Sequence, residues 1–297
     1  MKILNFLFLT VLFAGACWGS EIAMYPEKPK GGEGYFIFAK GSPMEYSVVR
    51  NERQFFFYDI EDGISGTFLP VWIEEKNTEK ISLFKRVPEG IQAESEITIE
   101  IEERPIETIR LRARDEKMRS AQPMIDAQNW LVSRKLHYVS REKLWVGEFI
   151  APLKNRVSSP FALKREGKKF NYFHRGIDYS AQKGTPVKAV NRGRVILSAK
   201  NLNVYGNTLI IDHGQGIISC YFHMNKLYKN EGEIVHKGEY IGQVGGTGWA
   251  TGPHLHFGIY LQGIPVDPLW WIAFSGNITK RNITSKLFSA KETLAKN

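Results

Sequence analysis

Cysteine is scarce in this chain of 297 residues, because only Cys17 and Cys220 occur and no CxxC pair exists. A zinc site built from cysteine thiolates is therefore excluded. After its first sixteen residues the sequence also lacks the apolar run of about 20 residues that a membrane-spanning helix requires. It carries no recognisable nucleic-acid-binding motif, since its one arginine-dense stretch, residues 110–119, is interrupted by acids. We therefore expect no nucleic-acid partner and no membrane span once the first residues are removed.

The composition is that of an ordinary globular protein. Hydrophobic residues make up 43% and charged residues 24% of the chain. The length is about twice that of a typical domain, so we expect two folded units. The formal net charge is +9, which favours an acidic partner such as nucleic acid, anionic lipid or an anionic polymer. The charge alone does not choose among these partners.

The amino terminus has the pattern of an export signal. Lys2 is followed by an apolar run that ends in the small residues 14–16. We interpret residues 1–20 as a signal peptide and expect an exported protein of the periplasm or cell envelope. Cys17 directly follows this cleavage pattern, which resembles a lipoprotein signal except that leucine is usual at the position of Ala14. A lipid anchor at Cys17 and simple cleavage both stay open.

The rest of the chain alternates between β-rich and helical patterns. Residues 21–105 carry short β-branched and aromatic segments separated by turn signals, which is typical of a small β-sandwich-like module. Residues 106–148 combine charge runs with apolar positions near helical spacing, so we expect a short helical connector. Residues 149–272 are again β-rich, with a predicted hairpin at 207–223, and residues 273–297 form a polar tail. The predicted fold class is mainly β.

The residues capable of catalysis are concentrated in the second β-rich region. Six of the seven histidines lie between residues 174 and 256. His174 and Asp178 are four positions apart, with a glycine between them that permits a tight bend. His223 ends an apolar strand-like run. His254 and His256 occupy positions i and i+2 of a predicted strand, so both face the same side of it.

Such a set of side chains suits a catalytic metal ion. A catalytic zinc takes three protein ligands, commonly histidine nitrogens and a carboxylate oxygen, and keeps a fourth position for water. The pKa of that water falls to about 7, so it becomes a nucleophile at neutral pH. Further histidines beside the metal can move protons or stabilise an oxyanion. The five residues together would suffice for metal-assisted hydrolysis.

The motifs at these positions are similar to those of the lysostaphin/LytM-type zinc peptidases. The pattern His174-x-x-x-Asp178 and the segment 252–257, Gly-Pro-His-Leu-His-Phe, occur in the family's order. The resemblance covers roughly residues 149–270 and includes Gly184-Thr185-Pro186-Val187, Gly193-Arg194-Val195, Asp212-His213-Gly214, Tyr221-Phe222-His223, Lys237-Gly238-Glu239, Ile241-Gly242 and Val266-Asp267-Pro268. It implies a compact antiparallel β peptidase domain with the site in a groove. Residues 21–105 resemble the β module that precedes the peptidase in many Gram-negative relatives.

The resemblance also implies a role for each candidate residue. It identifies His174, Asp178 and His256 as zinc ligands, and His223 and His254 as the catalytic pair, although which of the two is acid or base stays open. The implied activity is zinc-dependent hydrolysis of peptide cross-links in peptidoglycan, the expected partner. Gram-negative walls are cross-linked directly through D-alanine to diaminopimelate, so a DD-endopeptidase is expected, with DD-carboxypeptidase activity on similar bonds.

Two other functions compete with this hypothesis. A non-catalytic relative that binds the wall or activates a hydrolase would lack one or more ligands, whereas all five residues are present. A sugar-transport phosphocarrier domain has related β architecture and paired histidines, but it would be cytoplasmic and would not need Asp178. The export signal argues against the phosphocarrier.

Several residues near the motifs are expected to have other roles. We expect His137, His213 and His236 to be structural, Cys220 to be a small core residue, and Trp270 and Trp271 to pack in the core. Arg165 is expected either to contact substrate or to be exposed. Three positions depart from the usual family pattern and are expected to shape the groove: Ala162 in place of glycine, Gly258 where an acid is frequent, and Trp249 where a smaller or basic residue is common.

Overall fold

The computed structural model describes residues 22–26, 28–61, 63–111, 125–167 and 171–280. The predicted signal peptide, Cys17 and the end of the tail lie outside these residues. In chain order the described elements are β1 (Ile22–Tyr25), β2 (Gly34–Lys40), β3 (Tyr46–Arg50), β4 (Arg53–Phe56), β5 (Tyr58–Glu61), β6 (Ile64–Pro70), β7 (Asn77–Val87), β8 (Gly90–Ile101), β9 (Thr108–Arg110), α1 (Ile125–Leu136), β10 (Val157–Ser159), β11 (Lys164–Glu166), β12 (Asn171–Phe173), β13 (Ile177–Ser180), β14 (Pro186–Lys188), β15 (Gly193–Leu202), β16 (Gly206–Asp212), β17 (Ile217–Met224), β18 (Lys226–Leu227), β19 (Ile234–Val235), β20 (Tyr240–Gln243), β21 (His254–Leu261), β22 (Ile264–Val266) and α2 (Pro268–Lys280).

The predicted mainly β fold is confirmed. The amino-terminal part contains two four-stranded sheets, with the strand orders β1-β2-β6-β5 and β4-β3-β7-β8. Side chains from both sheets share one apolar core, which includes Ile37, Leu69, Val48 and Ile81. Successive residues of a strand point to opposite faces, so each sheet contributes alternate residues to this core.

Strand β2 is buried on both of its faces. Tyr35 and Ile37 pack in the core between the two amino-terminal sheets. Phe36 and Phe38 point the other way, into a second core that contains Phe149 and Trp271 from the carboxy-terminal part. The run Tyr-Phe-Ile-Phe therefore lacks the polar alternation of a half-exposed strand. The amino-terminal sheet and the carboxy-terminal domain consequently share a continuous apolar core.

The carboxy-terminal domain is built on one large sheet with the order β10-β13-β21-β17-β16-β15-β19, and β22 pairs with β21. The predicted hairpin at 207–223 is confirmed, because β16 and β17 pair antiparallel. Helix α1 covers part of one face of the sheet, where Val132 and Leu136 pack against Ile210 and Ile218. The strands that carry the candidate site lie at the β13-β21-β17 end of this sheet.

Two boundaries differ from the sequence-based expectation. The expected helical connector contains α1, but it also contains β9, which pairs in parallel with β11. Helix α2 runs across the expected boundary at residue 272, because Asp267 caps its amino terminus through a 3.0 Å hydrogen bond from the Leu269 amide, with Pro268 in the first turn. Within the described ranges, neither helix has the length and apolar character needed to cross a membrane.

Candidate active site

Strand pairing brings the predicted metal-binding residues together. β13 and β21 run antiparallel, and their register places Asp178 directly opposite His256. β17 flanks β21 on the other side, with Phe222 opposite His256 and His223 next along the strand. His174 precedes β13, and its backbone pairs with Ala162 and Leu163 through hydrogen bonds of 2.9 Å. The side chains come from three sequence segments but meet at one end of the sheet.

His174, Asp178 and His256 form a tight triangle. The Nε2 atom of His174 lies 3.0 Å from Asp178 Oδ1, and His256 Nδ1 lies 3.0 Å from the same oxygen. The two imidazole nitrogens are also 3.0 Å apart. Ligands held about 2.0–2.1 Å from a tetrahedral zinc are separated by roughly 3.3 Å, so the triangle has nearly the size of one face of a tetrahedron.

The hydrogen-bond pattern of this triangle favours a cation between its members. The Nδ1 atom of His174 lies 2.8 Å from the carbonyl oxygen of Pro160, which only accepts hydrogen bonds. Nδ1 therefore carries the proton in the neutral ring, and Nε2 presents a lone pair. That lone pair faces a carboxylate oxygen and a second imidazole nitrogen. Three electron-pair donors at hydrogen-bonding distance fit a metal ion in a way that unrelated buried polar groups do not.

The environment of Asp178 keeps its carboxylate ionised. Burial by itself raises its pKa, but the close contacts with the rings of His174 and His256 outweigh burial and hold the pKa well below its usual range. Arg165 adds a further positive charge, with Nη2 3.4 Å from Asp178 Oδ2. A charged carboxylate is the form that ligates a metal.

The ring of His256 is fixed by close packing on both sides. Phe222 stacks on it with the ring centroids 5.2 Å apart and the planes within 3°. On another side lies Gly176, where an added Cβ would come within 2.8 Å of His256 Nε2 and 2.5 Å of the Phe257 carbonyl oxygen. Only glycine permits this approach, which explains the glycine between His174 and Asp178.

His223 and His254 lie beside the triangle with their rings 4.9 Å apart between centroids. The Nδ1 atom of His223 is 2.9 Å from the Thr247 carbonyl oxygen, and Nδ1 of His254 is 2.9 Å from that of Gly252. Both carbonyls require a proton on Nδ1, so each neutral ring presents a free lone pair at Nε2. His254 Nε2 is 3.9 Å from Asp178 Oδ1.

His223 has an unusual backbone conformation and a lowered pKa. Its φ of 62° lies in the left-handed region, which is rare for a residue with a side chain and concentrates at functional sites. Burial, followed by repulsion from His256 and His254, lowers the pKa of His223 to about 3. The ring is therefore neutral at neutral pH.

These five residues line a groove with a volume of about 610 Å³. The wall on one side comes from Arg165 and Tyr172, and β9 and the residue after it extend this side with Ile109 and Leu111. Helix α1 contributes Ser133 and Leu136, and His137 follows directly after the helix. The remaining wall includes Val204, Tyr205, Trp249 and Thr251. The segment expected to connect the domains thus forms part of the groove.

The remaining histidines and Cys220 lie outside the triangle. His213 is fully buried and bonded to the Arg192 carbonyl and to Ser219, His236 is exposed, and Cys220 is a buried free thiol. His137 reaches the groove, but its Nδ1 is 2.8 Å from the carbonyl oxygen of Ser133 in the last turn of α1. Trp271 is fully buried, as expected of a core residue.

The three departures from the family pattern have different structural settings. Ala162 has a φ of 63°, a conformation that suits glycine. A Cβ on Gly258 would lie 2.8 Å from Cys220 Sγ, so the sulfur fills the space on that side. Of the three, only Trp249 lines the groove.

Sequence reasoning missed the groups that orient the histidines. The carbonyls of Pro160, Thr247 and Gly252 fix the tautomers, but a backbone carbonyl has no residue-type signature. The glycine-rich loop that ends at Pro253 was the one available hint, since glycine allows a carbonyl to turn towards a neighbouring ring.

The model of Peptidase family M23 matches residues 172–268, the segment that contains all five residues. Residues 172–268 are therefore similar to this family. The segment is 40% identical over 115 residues to the DD-carboxypeptidase/endopeptidase Mpg of Neisseria meningitidis serogroup B, covering 38% of this chain and 26% of that protein. It is 32% identical over 120 residues to the peptidoglycan DD-endopeptidase ShyA of Vibrio cholerae serotype O1, covering 40% of this chain and 28% of that protein. The chain thus spans about a quarter of the length of the curated relatives it matches.

A solved structure assigned to peptidase M23 from Pseudomonas aeruginosa resembles more of the chain. The similarity covers 82% of this chain and 95% of that one, with a TM-score of 0.61 and 24% identity. The likeness therefore extends beyond residues 172–268 and includes amino-terminal strands. At this identity it shows the fold.

Proposed function

We propose that this protein is a zinc-dependent DD-endopeptidase that hydrolyses peptide cross-links in bacterial peptidoglycan, with DD-carboxypeptidase activity on related bonds. The observation that carries this proposal is the triangle of His174, Asp178 and His256 at the floor of a groove, with two further histidines beside it. The curated relatives named above support the substrate class.

His174, Asp178 and His256 would hold the zinc ion through two nitrogens and one anionic oxygen. This donor set matches catalytic zinc sites with three protein ligands, and carboxylate and imidazole donors of this kind suit zinc better than calcium or magnesium. Bound zinc would supply Lewis-acid polarisation of the scissile carbonyl and would acidify a water molecule. The Pro160 carbonyl holds the His174 ring in the orientation that presents Nε2.

His223 and His254 would handle the protons of the reaction. Each holds its Nδ1 proton against a backbone carbonyl and presents Nε2 as the site that takes up a proton. Once protonated, the same Nε2–H is a donor for the leaving amine or for the developing oxyanion. Two such rings 4.9 Å apart give the site one group for each of two proton transfers.

The activity is tested with defined substrates. Purified enzyme is incubated with cross-linked muropeptide dimers, with pentaglycine and with a pentapeptide ending in D-Ala-D-Ala, and the products are identified by mass spectrometry. We expect dimers to become monomers and the pentapeptide to lose terminal D-alanine, while pentaglycine stays intact. Intact dimers together with cleaved pentaglycine would contradict the proposed bond specificity and support only the reaction class, peptide hydrolysis. No hydrolysis by the zinc-loaded enzyme would favour the alternative of a non-catalytic wall-binding module.

The proposed substrate places the mature protein outside the cytoplasm. Export through the signal at residues 1–20, with a periplasmic or envelope location, is part of the proposal, and a lipid on Cys17 is its alternative form. Sequencing the mature amino terminus tests it, and mass spectrometry of that peptide detects a lipid. An uncleaved Met1 on the cell-associated protein would contradict export by this signal.

A further inference from the structure

The bonds proposed as substrates share one chemical feature. In a D-Ala–diaminopimelate cross-link, the scissile nitrogen is attached to a carbon that also bears a free carboxylate. The same holds for the terminal D-Ala-D-Ala bond. Inside a glycine bridge that carboxyl group is part of the next peptide bond. One cation placed just beyond the scissile bond would therefore recognise both substrates and discriminate against glycine bridges.

Arg165 is a cation in the required place. It lies on β11, lines the groove, and has Nη2 3.4 Å from Asp178 Oδ2, the carboxylate oxygen that faces away from the triangle. The free carboxylate of the substrate is two bonds from the scissile nitrogen, so it must lie within a few ångströms of the metal-binding residues. The Arg165 side chain is only 19% exposed, which strengthens its interaction with an anion.

The contacts of Arg165 leave part of its donor capacity unused. Nη2 is 3.0 Å from Ser159 Oγ and Nη1 is 3.2 Å from Tyr172 Oη, both neutral hydroxyls. Among the described residues, the buried Nε has no hydrogen-bond partner. An arginine held only for structural reasons satisfies its buried donors, because each unmade bond costs about 1–3 kcal/mol. A small rotation of the guanidinium would present Nε and Nη2 as the fork that binds a carboxylate.

The neighbouring cations do not offer the same geometry. Lys164 lies on the opposite face of β11 and pairs with Glu166 at 2.8 Å. Arg175 has its guanidinium 5.7 Å from the ring of Trp72, a residue of the amino-terminal part, and is exposed. Arg165 is the one of these three that contacts a member of the triangle.

We propose that Arg165 is a specificity-determining residue that binds the free carboxylate on the leaving-amine side of the scissile bond. This inference rests on the proposed function and adds the substrate group that the groove recognises. The interaction forms a charge-assisted, bidentate pair in a partly buried site. Its loss should reduce kcat/KM by about 10- to 100-fold, the range expected for hydrogen bonds to a charged group.

The test compares two acylated D-Ala-D-Ala peptides that differ only in the terminal group, a free carboxylate or a carboxamide. We expect the wild-type enzyme to prefer the carboxylate by about 10- to 100-fold in kcat/KM, mostly through KM. Arg165→Met should lose this preference, because it slows hydrolysis of the carboxylate peptide far more than hydrolysis of the carboxamide peptide. Arg165→Lys should keep part of the preference, and the matched control Lys164→Met should behave like the wild type.

The carboxamide rate and the zinc content separate recognition from support of Asp178. An Arg165→Met enzyme that loses zinc, or that slows equally on both peptides, would overturn the proposal in favour of a positioning role. Equal preference in the wild type and Arg165→Met would overturn it as well, while hydrolysis of the peptides would leave the proposed function intact.

A binding measurement decides the point if the wild type hydrolyses neither peptide, a result that contradicts the proposed function. D-alanine and D-alaninamide are titrated into the wild type and Arg165→Met, and amide chemical shifts are followed by NMR. Any contact between the ligand and zinc is the same in both proteins. Comparing the two ligands in the two proteins therefore isolates the contribution of Arg165 to carboxylate binding. We expect only the wild type to prefer D-alanine, and an equal preference in both proteins refutes the assignment.

Discussion

The backbone amide of Ala162 donates a hydrogen bond to the carbonyl oxygen of His174 at 2.9 Å, while Ala162 itself has a φ of 63°. A buried residue in a left-handed conformation thus supports the segment that presents the first residue of the triangle. The left-handed region costs a residue with a Cβ about 1–2 kcal/mol, whereas glycine adopts it freely.

Ala162→Gly should therefore raise the free energy of unfolding by about 1 kcal/mol, after the greater entropy of glycine in the unfolded chain is subtracted. The matched control is Ala189→Gly, at a buried alanine outside the left-handed region, which should lower the stability by about 1 kcal/mol. Denaturant midpoints measure both. A stability loss in Ala162→Gly equal to that in the control would show that the backbone at 162 carries no strain.

Removing a member of the triangle should remove the metal. Asp178→Asn keeps the shape of the side chain but replaces an anionic oxygen by a neutral amide, so we expect loss of most bound zinc and nearly all hydrolysis. His174→Ala should do the same, and the exposed His236→Gln should retain both properties. Elemental analysis measures zinc and circular dichroism checks the fold. Full hydrolysis by either triangle variant, or by chelator-treated enzyme, would refute the zinc mechanism.

Removing a proton-transfer group should leave the metal in place. His223→Asn is the preferred variant because asparagine tolerates the left-handed backbone at this position, and it should lower turnover by about 10²-fold or more with zinc still bound. His254→Ala, whose backbone is not left-handed, should give a similar loss. Zinc lost in parallel with activity would move the affected residue into the ligand set.

His213 should make stability depend on pH below 6.5. Burial lowers its pKa in the folded state to about 4, from an ordinary value of 6.5. The unfolded chain therefore binds the proton first as the pH falls. The stabilisation is fully present above pH 6.5 and is lost as the pH falls towards 4, by about 3 kcal/mol at 1.36 kcal/mol per pH unit.

Chemical denaturation of the metal-free wild type and His213→Gln at pH 4–7 measures this effect. The wild type should lose more stability than the variant over this window, although the variant is less stable at pH 7. Using metal-free protein removes the pH dependence of zinc binding, and the difference between the two proteins cancels the other histidines. Parallel pH profiles would show that His213 does not carry the buried titration.

The sequence predicted those parts of the site that depend on local spacing. A period of two placed His254 and His256 on one side of β21, and the turn at 213–216 marked the β16–β17 hairpin. The parallel pairing of β9 with β11 was not predictable, because it joins segments more than 50 residues apart in the chain and neither has a distinctive pattern. Similarly, the aromatic run of β2 was typical of a strand, but its burial on both faces was not predicted, because the α2 residues that cover one face lie more than 200 positions away.

The shared core has a consequence for how the chain folds. Phe68 and Trp271 are more than 200 positions apart in sequence, yet their rings pack at 5.1 Å. During synthesis the outer face of the amino-terminal sheet stays uncovered until α2 has emerged, so the first half of the chain cannot complete its fold independently. Contacts between residues so far apart in the sequence slow folding, and they prolong the exposure of Phe36, Phe38 and Phe68. A chain shortened before residue 268 would keep His174, Asp178 and His256 but leave this aromatic face open to self-association.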